Sequence, residues 1–556
     1  MIVHTKGDAD RVAKPQPVLD RSAGGTVCAG APLAPVMAAV SGVSTSVIVL
    51  IGTALAFGGS VVAGFLAVRT VDRMPARLTR SGRSTGHGML APESIDLVVE
   101  PRSVHVLEVL LLVVLAGYVF FDRAFAWIHI PGTPLFVGEL VIGVGVLVLL
   151  GMHTRIGAVR ETSSSMKALA VFMAWGAVLL ILALPSWGED AVRDAAVWYY
   201  GIIAVFVVAM LVSEPRRIGS WLRIFGKLIP WMLIWLPFAI VLDAMFVDQV
   251  ARIPDSRVSI LSHRTGNIAV MAAIALGYLW LVDTDGEVFD RRQRNILTAL
   301  ATVIILFAAM RNRGGFVAGG VALFLAFLFL RRERANMAAI MVGVAVLLLA
   351  IGLFGNLRLQ LFGEREVSID QFLDNLVSVV DRSAGGRRQE STTKWRLEIW
   401  GRVFDDVTQD YPVAGFGPGP DLGERYDITG DGDLPLRNPH NSHVGVLART
   451  GLVGVMLWAF LWISWYVELI RLRRRLTAQD RHREAAVAGW LMVSVVAILV
   501  NAIFDPTLEG PQVAWWLWGF VGFGIGMVVL ERWRRLPEVS LVSEPPTERR
   551  PAVTVR

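Results

Sequence analysis

The chain has 556 residues, 54% of them hydrophobic, a formal net charge of +6 and a single cysteine, Cys28. A mean hydropathy of +0.55 lies far above the range of soluble globular chains, and one cysteine excludes an intrachain disulfide or a cysteine-based metal site. The positive balance is nearly all arginine, gathered between apolar runs (only Lys6, Lys14, Lys167, Lys227 and Lys394 are lysines). That distribution points to membrane orientation and away from nucleic acid.

Residues 1–34 are polar with scattered Pro and Gly and are predicted to be disordered. The apolar run at about 35–68 lacks a convincing cleavage signal and is followed by basic residues, so it reads as membrane-embedded rather than as a removed signal peptide. Whether it forms one span or two, and hence the side of the N-terminus, stays open; with its basic loop it makes an extra hydrophobic region over 35–103. Twelve further runs, each of roughly the length that crosses a bilayer, follow at 104–122, 133–152, 166–184, 194–213, 228–247, 266–283, 295–310, 314–330, 336–354, 443–470, 485–504 and 511–530. The predicted fold is all-α: a polytopic membrane helix bundle of nine spans in 104–354, a large loop over 355–442, three spans in 443–530 and a charged, disordered cytoplasmic tail over 531–556.

The loops at 69–83, 153–160, 214–223, 290–294, 331–334 and 471–483 carry the clustered arginines and alternate with less basic ones. The positive-inside rule makes that side cytoplasmic. The 355–442 loop then lies outside the cytoplasm, as does the short turn at 310–314 with Arg311 and Arg313. Arginines in an external turn oppose the sorting rule; they either snorkel to the headgroups or form an anion site. Within the large loop, 367–380 and 394–407 have apolar residues at helical spacing, 415–423 is a Gly/Pro turn cluster, and GDGDLPL (430–436) lacks the ligand spacing of a calcium loop.

The segment PHNSHVGVLARTGLVGV (439–455) places His440 and Asn441 at the end of the external loop, just before a span. Gly451 and Gly454 follow at a spacing that permits close helix packing. If His440, Arg313, Arg396 and Arg264 converge at the external mouth of the bundle, the arginines suit a diphosphate, because the planar guanidinium donates paired hydrogen bonds. A histidine near neutrality can take a proton from an attacking sugar hydroxyl, with the arginines stabilising charge on a departing lipid diphosphate.

Here the residues resemble a known family. His-Asn, nine residues, then Gly-x-x-Gly at 440–454 resembles the signature of the O-antigen ligase and O-antigen polymerase superfamily. NRGG (312–315), the run WRLEIWGRVFDDVTQDYPVAGFGPG (395–419) and a twelve-span layout with one large loop between the ninth and tenth spans are similar too. The resemblance covers roughly 104–530. It implies glycosyl transfer, without metal or cofactor, from an undecaprenyl-diphosphate-linked saccharide to a lipid, polysaccharide or protein acceptor, by a multi-pass protein of the cell (inner) membrane. Carried onto this chain, His440 is the catalytic base, Arg313 and Arg396 bind the diphosphate with Arg311 and Arg264 beside them, and Asn441, Gly451 and Gly454 shape the start of the helix. The extra region before residue 70 and Arg311 depart from the family pattern. Ligase and polymerase differ in the acceptor; the His-Asn spacing favours the ligase, and the polymerase is the alternative.

His443, one turn on, is expected to be a neighbour rather than a second base. Glu139 and Asp243, in apolar spans, are expected to be paired inside the bundle, Asp505 and Glu509 to be solvated in an external turn, and Trp515, Trp516 and Trp518 to form an interfacial belt. A transporter of lipid-linked saccharide, the competing class, predicts internal repeats and mid-bilayer charges, and no repeat is visible. A sensor or scaffold leaves the external arginine turn unexplained.

Overall fold

The structure, a computed structural model, describes residues 102–534 apart from 131–134, 152–162, 247–248, 254–257, 284–285, 331–338, 344–358, 363–364, 368–386 and 428–436. The expectations for 1–101, nearly all of the ninth span and of the 367–380 segment, the 430–436 turn and the tail beyond 534 lie outside the described residues.

The elements run α1 (Arg102–Ala126), α2 (Val137–Leu150), α3 (Ser164–Asp194), α4 (Ala196–Ser213), α5 (Arg217–Met245), α6 (Thr265–Val282), α7 (Arg291–Arg311) and α8 (Arg313–Phe329). A short antiparallel pair, β1 (Leu359–Phe362) and β2 (Arg365–Val367), comes next. Then follow α9 (Arg387–Asp410), α10 (Leu422–Tyr426), α11 (Ser442–Ala478), α12 (His482–Asn501) and α13 (Pro511–Trp533). Among the described residues eight helices, α1, α3, α4, α5, α6, α11, α12 and α13, are long and apolar enough to cross a membrane, and α2 and α8 are apolar but shorter. This is a multi-pass membrane protein. The helical form follows from the solvent: hydrocarbon offers no partner for backbone N–H and C=O groups, so each span satisfies its own.

Two sequence expectations change. Of residues 214–223 only 214–216 form a connection: α5 starts at Arg217, whose Nε donates to Glu108 Oε2 at 2.9 Å while Trp221 Nε1 donates to Glu108 Oε1 at 2.6 Å. A buried acid on α1 thus draws a basic stretch into the bundle, where pairing offsets desolvation. Likewise α11 carries on through the arginines at 471–475. The second change concerns the tryptophans, which form no surface belt. Trp515, Trp516 and Trp518 are buried; Trp518 stacks on Trp462 with centroids 6.0 Å apart, and Trp516 Nε1 donates to the Leu115 carbonyl. Their large rings are buried among the helices, where the Trp515 indole N–H, unlike that of Trp516, has no hydrogen-bond partner. Glu139 is paired, accepting from the Tyr199 and Tyr200 hydroxyls at 3.1 Å each.

One end of the bundle gathers the elements that matter below. Arg264 N, at the start of α6, donates to Asp122 at the break in α1 at 2.8 Å. Added Cβ atoms on Gly315 and Gly314, in the first turn of α8, would lie 2.9 Å from Gly266 Cα and 2.4 Å from Phe504 Cβ. Ser442 N donates to Ala502 O at 2.8 Å. At the opposite end Arg216, Arg223, Asp283, Glu287 and Arg483 line one cavity of about 250 Å³, and Glu468 caps α3 by accepting from Ser163 Oγ and Ser164 N at 2.9 Å.

Candidate functional site

The corner at His440 is built from three directions. From α11, Asn441 is the N-cap: its Oδ1 accepts from His443 N at 2.9 Å and Val444 N at 3.2 Å, satisfying donors that every helix leaves open in its first turn. From α9, Trp400 Nε1 donates to Pro439 O at 2.8 Å, and the Trp395 ring meets the His440 ring edge-on, centroids 6.0 Å apart and planes at 87°. From the α12–α13 turn, Leu508 N donates to Ser442 Oγ at 3.2 Å, which holds Asp505 beside the histidine. His440 itself adopts φ +52°, a left-handed conformation costing a residue with a Cβ about 1 kcal/mol, so its neighbours must hold it there.

Two of the arginines singled out in the sequence meet at this corner. Arg264 Nη1 lies 3.5 Å from Asp505 Oδ1; Arg396 Nη1 donates to Phe504 O at 3.3 Å and its guanidinium lies 5.6 Å from the Trp395 ring centre. Arg313 is the first residue of α8, after Asn312, whose side chain accepts from Gly315 N; the Gly314 and Gly315 contacts set this backbone turn against Gly266 and Phe504. Arg311 ends α7 one residue before the cap. Burial pushes the His440 imidazole below its usual value, the Arg396 and Arg264 charges push it the same way, and the Asp505 carboxylate opposes them. The ring is therefore neutral at pH 7, with a lone pair free to take a proton.

His443 is differently placed. Its Nε2 contacts Leu499 O at 2.9 Å and its Nδ1 accepts from Trp458 Nε1 at 3.2 Å, so both ring nitrogens are engaged. Gly451 breaks α11 with φ +67° and ψ −169°, and the 412–416 loop fills the break: Phe416 N donates to Ala448 O at 2.7 Å and Leu452 N to Pro412 O at 2.8 Å. An added Cβ at Gly451 would lie 2.4 Å from Val413 O, whereas at Gly454 its nearest neighbour is the Thr450 hydroxyl.

Two acids of the corner were expected to be solvated, and Arg449, Asp194 and Arg437 were not singled out in the sequence. Asp505 and Glu509 are more than solvated loop acids: Asp505 pairs with Arg264, and a Glu509 carboxylate oxygen is buried. Beneath the corner Arg449, on α11, pairs with Asp194 at 2.9 Å and donates to Pro420 O at 2.6 Å. Arg437 binds the same Asp194 at 3.1 Å, and Gly419 N donates to Asp194 Oδ2 at 2.9 Å. The Gly/Pro turn is thus pinned by ionic contacts. The available signal was topological, since Asp505 and Glu509 occupy a turn on the side expected for His440. Among the described residues no set of three or more His, Cys, Asp or Glu side chains is grouped as a metal ion requires.

Residues 296–459 match the family described as O-antigen ligase. The chain is thus a multi-pass membrane protein that carries a segment similar to the O-antigen ligase family. No curated protein matches the chain. The matched segment runs from within α7 to the middle of α11, and so holds Arg311, Arg313, Arg396, His440, Asn441, Gly451 and Gly454. Arg264, Asp505 and Glu509 reach its histidine corner from outside.

Proposed function

We propose that the protein is a membrane glycosyltransferase of the O-antigen ligase type. It moves a saccharide from a polyprenyl-diphosphate-linked donor to an acceptor hydroxyl at the extracytoplasmic face of the cell membrane. The observation that carries this reading is the placement of His440 with Arg396 and Arg264, at the bundle end that also holds the Arg313 turn. His440 takes the proton of the acceptor hydroxyl as that oxygen attacks the anomeric carbon. The bond from anomeric carbon to diphosphate oxygen breaks, its electron pair leaves with the lipid diphosphate, and the configuration inverts. Arg396, Arg313, Arg311 and Arg264 bind that diphosphate and stabilise its growing charge. The lipid tail of the donor accounts for a site at the end of a membrane bundle.

The test replaces wild type by His440→Ala in cells and follows the length and attachment of lipid-linked glycan. Transfer is expected to cease, since general-base contributions run ~10²–10⁴-fold. Retention of more than about a tenth of wild-type transfer would sink the role of His440. Long chains left on the lipid diphosphate mean ligase, single repeat units left there mean polymerase, and no change in either pool returns the transporter reading.

A further inference from the structure

We infer that Asp122 is a positioning residue for Arg264, and through it for the diphosphate of the donor. The inference rests on the reading of Arg264 as one of the arginines that bind that diphosphate. Asp122 sits at the break in α1, 3% exposed, with φ +37° and ψ −110°. Glycine adopts such a backbone freely, whereas a residue with a Cβ holds it at a cost of about 1–3 kcal/mol. The break is held from outside α1. The Phe120 carbonyl accepts from Trp235 Nε1 at 2.5 Å and lies 3.1 Å from His263 Nε2, while His263 Nδ1 lies 2.8 Å from Leu261 O. The segment that leads into α6 is thereby fastened to the broken turn.

The strained turn delivers a carboxylate to the start of α6. Arg264 is the N-cap of that helix, and its side chain makes no cap contact. A guanidinium has only donors, so it cannot serve the open N–H groups of a first turn. Asp122 supplies the acceptor instead. Its Oδ2 accepts from Arg264 N at 2.8 Å, and Asn267 Nδ2 lies 3.3 Å from Oδ1 and 3.4 Å from Oδ2. In a capping box the third helical residue itself reaches back to the N-cap N–H. Here Asn267 is that third residue, and a carboxylate from another helix stands between the two.

This arrangement leaves the guanidinium for the corner. With its backbone fixed by Asp122, Arg264 turns its head to Asp505 Oδ1, 3.5 Å away, on the side of His440 and Arg396. A free arginine side chain carries about 2 kcal/mol of rotamer entropy; a fixed root and a carboxylate facing the head reduce what diphosphate binding must still order. Loss of the Asp122 carboxylate releases the root, and a misplacement of about 1 Å can cost ~100-fold in rate.

The experiment compares wild type, Asp122→Gly, Asp122→Asn, Arg264→Ala, the double variant Asp122→Gly/Arg264→Ala and Glu468→Ala. Each full-length protein is studied in the cell's own membranes, which hold donor and acceptor, with lipid-linked glycan added at several levels and rates taken per folded molecule. Asp122→Gly suits the φ +37° backbone and removes the carboxylate. It is expected to lower kcat/KM about 10- to 100-fold, no more than Arg264→Ala does, and to divide the loss between kcat and KM in the same proportion. The double variant is expected to match Arg264→Ala alone, since residues that act as one unit are not additive. Asp122→Asn keeps an acceptor for Arg264 N. Its new amide can donate to Asn267 Oδ1, which is buried without a hydrogen-bond partner, once the Asn267 amide turns over, so kcat/KM is expected to stay within about threefold of wild type. Glu468→Ala, at the far end of the bundle, shows what a loss of stability alone does. Should Asp122→Gly fail to accumulate, Asn267→Ala takes its place in the same cycle, with a loss of about 3- to 10-fold expected. Wild-type kinetics in Asp122→Gly beside an impaired Arg264→Ala, losses that multiply in the double variant, or an Asp122→Asn as slow as Asp122→Gly each overturn the inference and leave the role of Arg264 standing. Wild-type kcat/KM in Arg264→Ala instead overturns the diphosphate reading of Arg264, and the inference with it.

Discussion

The Arg264 guanidinium faces the Asp505 carboxylate at 3.5 Å across 241 positions of sequence. The contact ties the start of α6 to the α12–α13 turn and brings one charge of each sign to His440. Two guanidiniums and burial lower the imidazole's proton affinity, and only Asp505 raises it.

Opposite shifts are therefore expected from two substitutions. Asp505→Asn removes the one raising influence and should move the His440 titration further down; Arg396→Gln should move it up. Imidazole NMR on purified protein reads both, and a shift in the same direction for the two would contradict the charge arrangement. The linkage has a definite sign. A histidine depressed in the folded state contributes stability that is present above its unfolded value of about 6.5 and is lost as pH falls through the folded value. Acid destabilisation should thus be milder in Arg396→Gln and sharper in Asp505→Asn.

The two glycines of α11 should respond unequally to alanine. Gly451 has φ +67° and its added Cβ would meet the carbonyl oxygen of Val413, so Gly451→Ala strains the backbone and displaces the loop bonded into the helix break. A loss of about 2–4 kcal/mol is expected, read as a fall in Tm in detergent. At Gly454 the added Cβ would meet both the Thr450 hydroxyl and the Thr450 Cβ, and only the hydroxyl can rotate away; the backbone there is not left-handed, so Gly454→Ala should cost less than Gly451→Ala, about 1–3 kcal/mol.

Arg449 and Asp194 form a buried pair, each side chain 8% exposed. Asp194→Asn leaves the Arg449 charge without its carboxylate in a poorly solvated place and should cost about 3–5 kcal/mol, whereas Arg449→Met should cost less, because Arg437 still meets Asp194. The double variant should cost less than the sum. Because Arg449 and Asp194 also hold Pro420 O and Gly419 N, limited proteolysis should cut the 415–421 turn faster in either single variant.

Glu468 provides the contrast at the far end of the bundle. It gathers Ser163, Ser164 and Arg532 and is buried, so Glu468→Ala should lower stability by about 1–3 kcal/mol through orphaned donors. Turnover per folded molecule should be unchanged below the shifted Tm, whereas a fall in kcat at full folding would imply coupling between the two ends.

Much of this architecture is legible in the chain itself. Apolar runs long enough for hydrocarbon mark the spans, because backbone groups in lipid must be satisfied within the helix. The amphipathic stretch at 394–407 lies within α9, and Glu139 is paired as an ionisable group inside a span has to be. The errors come from rules that describe averages. Tryptophans favour the interface in general, but Trp515, Trp516 and Trp518 are buried among the helices. Basic residues favour loops in general, but Arg217 enters the bundle because Glu108 waits there.

At the candidate site the division follows the range of the forces. Sequence by itself determined the local features: Asn441 at the start of the helix, the Gly/Pro turn, and His440 directly ahead of a span. Each depends on residues a few positions apart. Gly451 and Gly454 suggested only close packing, and the break at Gly451 is a finding of the structure. Tertiary structure alone decided that Arg264, Arg396, Asp505 and Glu509 share one corner with that histidine, since their neighbours lie tens to hundreds of positions away and are brought together by helix packing. It alone decided which of two histidines three residues apart keeps a free lone pair: His443 spends both nitrogens on Leu499 and Trp458, and His440 does not turn inward to meet them.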